Sequence, residues 1–350
     1  MMPQEEKKHK RRVHYSGKYP KKFEEKYKEH QPEKYQDMIE HVIRKGNTPA
    51  GMHLSIMVQE ILDFLQIQPG QTGFDATLGY GGHTKAMLAC LEGRGHIYAT
   101  DVDPEESAKT KKRLLEQGYG EEILTIKLQN FCTIDEIAKE AGGFDFVLAD
   151  LGVSSMQIDN PERGFSFKVE GPLDLRLNQK EGISAAERLD TITKEELAGM
   201  LYENSDEPYS EELAKAITDE IRRGNRMDTT KKLRDVIEKT LMFLPEKERK
   251  DTVKKTCQRV FQALRIDVNN EFEVLYEFME KLPECIKPGG RAAILTFHSG
   301  EDRLVKKALK SGYKAGIYSD YAKDVIRPSA KECVQNGRAR STKMRWAIKK

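Results

Sequence analysis

From about Met52 the apolar positions fall into short runs that alternate with stretches of helical spacing. HLSIMVQEILDFL (53–65) predicts a helix, GFDAT (73–77) a short strand, and HTKAMLACLE (83–92) a helix after a glycine turn. HIYATDVD (96–103) predicts a second strand and PEESAKTKKRLLEQ (104–117) its helix; ILTIKL (123–128) and the strongly apolar FDFVLADLGV (144–153) predict a third and a fourth strand. Such alternation implies parallel pairing in a doubly wound α/β sheet.

The alternation stops after Asp150. Residues 155–260 show helical patterns only: SAAERLD, TKEELAGMLYEN, EELAKAITDEIRRG and TTKKLRDVIEKTLMF. It then returns, with one long helix over 260–286, a strand GGRAAILTFHS, a helix GEDRLVKKALKSG and a final strand TKMRWAIKK. The expected organisation is a basic N-terminal extension (1–47), a discontinuous sheet domain (48–154 and 261–350) and an inserted helical domain (155–260). Within the extension, EKYQDMIEHVIRKG (33–46) has the spacing of a short amphipathic helix.

Charge adds little in sum and more in its distribution. The net charge is +2 over 350 residues, but the segment up to Lys28 holds ten Lys/Arg against four Glu, with Tyr15, Tyr19 and Tyr27 interleaved. It reads either as a solvated tail or as an arm for phosphates and bases. No apolar run reaches the roughly 18 residues of a membrane span, and the N-terminus lacks the apolar core of a signal peptide. The five cysteines form no C-x-x-C pair. That argues against a zinc site and a disulfide framework, and predicts a reduced, cytoplasmic protein without a metal.

The candidate chemistry starts at FDATLGYGGHT (74–84). A glycine turn between strand and helix lets backbone N–H groups approach a ligand, and the helix start adds a positive dipole end. Asp101 closes the second strand 22 residues after Gly79, where a carboxylate accepts the two hydroxyls of a ribose. The spacing is G-x-G-G, so the dinucleotide fingerprint fails, and no P-loop is present. Asp75 beside the turn would repel a pyrophosphate and suit a ligand carrying an ammonium and a sulfonium, which fits S-adenosylmethionine. The glycines could equally serve only to close the turn, and His83 could touch the ligand or simply start the helix.

Asp150 ends the fourth strand, where open α/β sheets place their chemistry. It opens a series of runs: DLGVSSMQID, ERGFSF, GPLDLRLN, RVFQALRIDVNNE, LTFHSGEDR and NGRARSTKMR. Together these resemble the 16S ribosomal RNA cytosine-N4 methyltransferases, the MraW or RsmH family, over about residues 52–350. The resemblance implies a class I, Rossmann-like methyltransferase sheet with an inserted helical substrate-recognition domain. It implies transfer from S-adenosylmethionine to the exocyclic N4 of a cytidine in 16S rRNA, in the decoding region of the small ribosomal subunit or its precursor, with a target usually numbered C1402. It places cofactor contacts on Gly81, Gly82, His83, Asp101, Phe131 (near the adenine), Asp150 and Gln157.

Where the family usually has H-T-P-V-L-L, F-H-S-L-E-D-R and N-P-R-S-R-S, this chain has HLSIMV with His53 retained, FHSGEDR and NGRARS. With the basic extension, these departures indicate a divergent, second-copy branch.

Asp150 is the candidate catalytic group, orienting the amine; the alternative is that it holds the methionine end of the cofactor. Phe165 and Phe167 could stack on the flipped base or pack in the core. Arg163, Arg176, Arg265 and Arg303 are candidates for phosphate contacts or for ion pairs with Asp174, Asp267, Glu301 or Asp302. His298 is a pocket residue or a structural histidine. Arg338, Arg340, Lys343 and Arg345 form a basic run suited to RNA backbone or to solvent. The competing functions are methylation of another rRNA base or of a protein, and a non-catalytic cofactor-binding assembly factor.

Overall fold

The structure, a computed structural model, describes residues 55–350. The basic extension, its expected helix and His53 lie outside the described residues.

A seven-stranded sheet carries the site. Its strands are β1 (Thr72–Asp75), β2 (His96–Asp101), β3 (Leu124–Leu128), β4 (Phe144–Asp150), β5 (Ile286–Thr296), β6 (Tyr318–Tyr321) and β7 (Lys343–Lys349), in the order β3-β2-β1-β4-β5-β7-β6. The first four strands pair in parallel, and β5 is parallel to β4. The doubly wound reading holds, and the parallel pairing has one exception. β7 runs antiparallel to both β5 and β6, because the chain returns from the edge strand β6 through loops and short helical turns rather than through a full crossover helix. The alternation pattern also missed β6, whose YSDY is too short and polar to register as a strand.

Each face of the sheet is covered by helices. Helices α1 (Val58–Leu65), α2 (Gly82–Leu91) and α3 (Pro104–Glu116) cover one face around Met87, Leu88, Leu114 and Phe146. Helix α4 (Ile134–Ala141) covers the other with two later helices, Glu271–Cys285 and Ser299–Lys314, around Phe74, Phe144 and Phe278. A register shift between Phe144 and Phe146 sends these two rings to opposite faces of β4. Gly73 of the neighbouring strand makes room for Phe146: a Cβ there would lie 2.0 Å from the ring.

A third apolar cluster is helical. It gathers Leu173, Leu189, Leu201, Leu213, Ile217, Leu233, Val260 and Leu264. They come mainly from α6 (Ala185–Thr191), α7 (Lys194–Ser205), α8 (Ser210–Arg222), α9 (Thr230–Thr240) and α10 (Glu246–Asn269); α5 (Ser155–Asp159) leads into this layer. Residue 260 falls inside the 24-residue α10, whose Val260, Phe261, Ala263 and Leu264 all pack in the helical layer. The single helix expected over 260–286 is two. Asn270 is left-handed (φ 50°), which ends α10 and turns the chain into α11 (Glu271–Cys285). After β5 come α12 (Ser299–Lys314) and the short α13 (Ala330–Gln335).

Candidate active site

The C-terminal ends of β1, β2 and β4 open into a cavity of about 390 Å³. Gly79, Gly81, Gly82, His83, Asp101, Phe131, Asp150 and Gln157 all line it, so the residues singled out from sequence converge on one space.

The glycine turn is shaped by the protein as well as open to a ligand. Gly81 is left-handed (φ 77°), and a Cβ there would meet Thr110 of α3 at 2.8 Å; a Cβ on Gly82 would lie 2.0 Å from Ser55 Oγ. Asp75 lies beneath the turn, out of the cavity. It is 1% exposed and accepts from Thr84 Oγ1 (2.6 Å) and Thr77 N (3.1 Å). Burial pushes its carboxyl up. Its role is to anchor the turn, which corrects the view of it as a group facing the ligand.

Asp101 does reach the cavity. It accepts from Gly79 N (2.8 Å) and Asp103 N (2.8 Å), tying β2 to the glycine turn. Burial pushes its carboxyl up to about 6, against the two backbone donors. Each oxygen keeps a free lone-pair direction, so two hydroxyl donors would stabilise the ionised form. This carboxylate, beside a Cβ-free turn at the start of α2, fits an adenosine ribose. Phe131 stands edge-on to Phe278 at 5.2 Å between ring centroids and gives the cavity an aromatic wall.

Two expected cofactor contacts are held by the protein itself. Gln157 accepts from Ser154 N (3.0 Å) in the capping box of α5 and donates to Asp103 Oδ2 (3.0 Å). His83 has Nε2 2.9 Å from the Ile56 carbonyl and Nδ1 3.4 Å from Asp150 Oδ2. Both line the cavity with their polar atoms already engaged.

Asp150 is different. Its Oδ2 faces His83, while its Oδ1 is buried and has no hydrogen-bond partner. Burial pushes its carboxyl up to about 6, opposed by His83 and reinforced by Asp75 and Glu301. A buried carboxylate oxygen without a donor is costly. Asp150 lines the cavity through the rest of its side chain, which is 24% exposed, so the oxygen that meets the cavity is Oδ2, beside His83.

Elsewhere the wall carries an ion network. Arg265 donates through Nε and Nη2 to the two oxygens of Glu271 (2.8 and 2.8 Å). Glu301 is 3% exposed and accepts from Phe297 N (2.8 Å). Burial would raise its carboxyl, but His298 and Arg265 bring it below the usual range. Glu271, His298 and Glu301 each place one ligand atom within 4.8 Å of the others; the Arg265 guanidinium already supplies a cation to both glutamates. His298 is the N-cap of α12, not the end of a strand.

Sequence reading missed Asp103. It caps α3, accepting from Glu105 N and Glu106 N, and its Oδ2 takes Arg163 Nη1 at 2.7 Å. Burial alone would raise Asp103, but the bonds from Arg163 and Gln157 hold it below the carboxylate range. Asp-Pro before a helical run was the available signal.

The remaining arginines are internal ties. Arg176 pairs with Asp174 and Arg303 with Asp206; Asp267, expected near them, pairs with Arg188 instead. Arg345 and Lys343 both bind Asp302, so half of the expected basic run is spent on α12 rather than on RNA. Phe165 is in the helical core, and Phe167 packs edge-on to Phe261 at 5.8 Å.

In sequence, residues 50–350 match the MraW methylase family. The chain belongs to this family. S-adenosylmethionine is its methyl donor. It is 83% identical over 345 residues to "Ribosomal RNA small subunit methyltransferase H 1" of Agathobacter rectalis, covering 99% of each. It is 62% identical over 348 residues to "Ribosomal RNA small subunit methyltransferase H 2" of Alkaliphilus metalliredigens, covering 99% of this chain and 100% of the relative. Against "Ribosomal RNA small subunit methyltransferase H" of Acidobacterium capsulatum the identity is 36% over 302 residues, covering 85% and 98%. The chain thus sits with the numbered, second-copy members of this MraW family.

Proposed function

We propose that this methyltransferase modifies the exocyclic N4 of a cytidine in small-subunit ribosomal RNA, the decoding-region nucleotide numbered 1402. The observation that carries the reading is the Asp150 carboxylate at the end of β4, which lines the cavity beside His83. The names of the relatives support rRNA as the substrate class.

Bound S-adenosylmethionine supplies an electrophilic methyl group. Gly81, Gly82, Asp101 and Phe131 hold it. The cytosine amine is a poor nucleophile because its lone pair is delocalised into the ring. The Asp150 carboxylate accepts one N4–H and favours the pyramidal form of the nitrogen. On methylation the nitrogen must release a proton. The Asp150 carboxylate, with its pKa near 6, is ionised at neutral pH and basic enough to take it. His83, 3.4 Å from Oδ2, orients the carboxylate. The helices of 155–260 present the RNA.

The test is transfer of labelled methyl to small ribosomal subunits from cells lacking this modification, mapped by nuclease digestion and mass spectrometry. Label on cytidine N4 at the expected nucleotide supports the proposal. Label on another base means a retargeted enzyme. No label on subunits, on protein-free RNA or on an earlier precursor, with cofactor still bound, rejects it.

A further inference from the structure

A groove of about 790 Å³ lies in the helical layer, separate from the catalytic cavity. Its apolar surface comes from Phe167, Val253 and the exposed Met242 (62%). Its rim carries Lys168, Lys250 and Lys254, all exposed and, among the described residues, none within ion-pair distance of a carboxylate. The other groove residues are largely spent. Arg234 binds Glu238, Arg249 donates to the Leu244 carbonyl, and Asp235 lies 3.5 Å from Lys231. Among the described residues, Glu246 is the one lining carboxylate without a cation, against three unpaired ammonium groups.

Helix α10 joins this groove to the active site. Lys250, Val253 and Lys254 line the groove, and Gln262, Arg265 and Asn269 of the same helix line the catalytic cavity. From Lys254 to Gln262 the helix rises about 12 Å.

Resting on the rRNA reading above, we propose that this groove holds the single-stranded RNA flanking the target nucleotide. The three lysines bind phosphates, and Phe167 and Met242 offer apolar surface to the bases. A strand held there runs along α10 into the cavity, where one base is presented to Asp150. An apolar floor under an unpaired cationic rim matches the two faces of a single strand, with bases on one side and phosphates on the other. An acidic protein segment would use the lysines but not the apolar surface.

The test uses the full chain with Lys168→Glu, Lys250→Glu and Lys254→Glu combined, and separately Met242→Glu. Binding to a protein-free small-subunit rRNA transcript is measured against salt, beside methyl transfer to subunits and binding of S-adenosylmethionine. The triple variant is expected to lose about tenfold or more in RNA affinity and to flatten the salt slope by about 2, near 0.7 per lost single-strand phosphate contact. KM should rise, with cofactor affinity and Tm unchanged. Met242→Glu should weaken RNA binding without a loss of fold. Unchanged RNA affinity and salt slope overturn the groove. A loss seen only on assembled subunits overturns it in favour of a ribosomal-protein contact. A wild-type chain that neither binds RNA nor methylates it fails the rRNA reading itself. One that methylates, with undiminished variants, fails the groove alone.

Discussion

His83 Nδ1 lies 3.4 Å from Asp150 Oδ2, while the other oxygen of the same carboxyl is buried without a partner. The buried oxygen is closed off, and the carboxylate meets the cavity on the side of Oδ2 and His83.

Neutralising this carboxylate should affect chemistry before cofactor binding. Asp150→Asn is expected to lower kcat by about 100-fold or more, the scale of a lost general base, with the Kd for S-adenosylmethionine within a few-fold of wild type. Calorimetric titration beside single-turnover kinetics separates the two. A collapse of cofactor affinity at preserved kcat would assign Asp150 to holding the methionine end.

The pH dependence has a defined sign. The carboxyls of Asp150 and Asp101 sit near 6 in the folded chain, above their ordinary value of 3.8. The proton-accepting form of Asp150 is lost as pH falls through about 6, so kcat should drop there and level off above it. For stability the effect is opposite. Between about pH 4 and 6 the folded chain binds more protons than the unfolded one, so these two groups make the ligand-free protein less stable as pH rises through that window. A kcat profile and a Tm series over pH 4.5–8 check both signs.

Asp101→Asn should weaken S-adenosylmethionine binding by about tenfold, the cost of exchanging a charged acceptor for a neutral one. The same variant should retain methyl transfer at saturating cofactor. A kcat loss larger than the KM change would place Asp101 in the reaction itself.

Arg163→Met would leave Asp103 buried and unpaired beneath α3. Loss of one partner from a buried ion pair costs about 3–5 kcal/mol, and the 2.7 Å contact here involves side chains 7% and 2% exposed. Denaturant unfolding should show that loss. Adding Asp103→Asn should recover part of it, since the stranded charge is then gone; an undiminished deficit in the double variant would mean that packing of the Arg163 stem dominates.

Much of the sheet was legible because strands such as FDFVLAD are buried on both faces and read as continuous apolar runs. β6 was not, since two of its four residues face solvent. The break at Asn270 was hidden because asparagine enters the left-handed region with no pattern change around it. At the site, Gly81, Gly82, Asp101 and Asp150 were visible as a spacing of glycines and strand-end carboxylates. Asp103 was hidden because its partners, Gln157 and Arg163, lie 54 and 60 residues away.

By itself the sequence determined the alternation of strands and helices, the cofactor turn and the family. These depend on local periodicity and on short motifs, which need no knowledge of distant contacts. Tertiary structure decided which polar groups remain free. It spent Arg163, Arg176, Arg265 and Arg345 on carboxylates, sealed Asp75 under the turn and engaged both nitrogens of His83. It buried Asp150 Oδ1 without a partner and set the rest of that carboxylate at the cavity wall. The reason is physical: a buried charge must find its partner in space, and chain spacing does not record which partner has been taken.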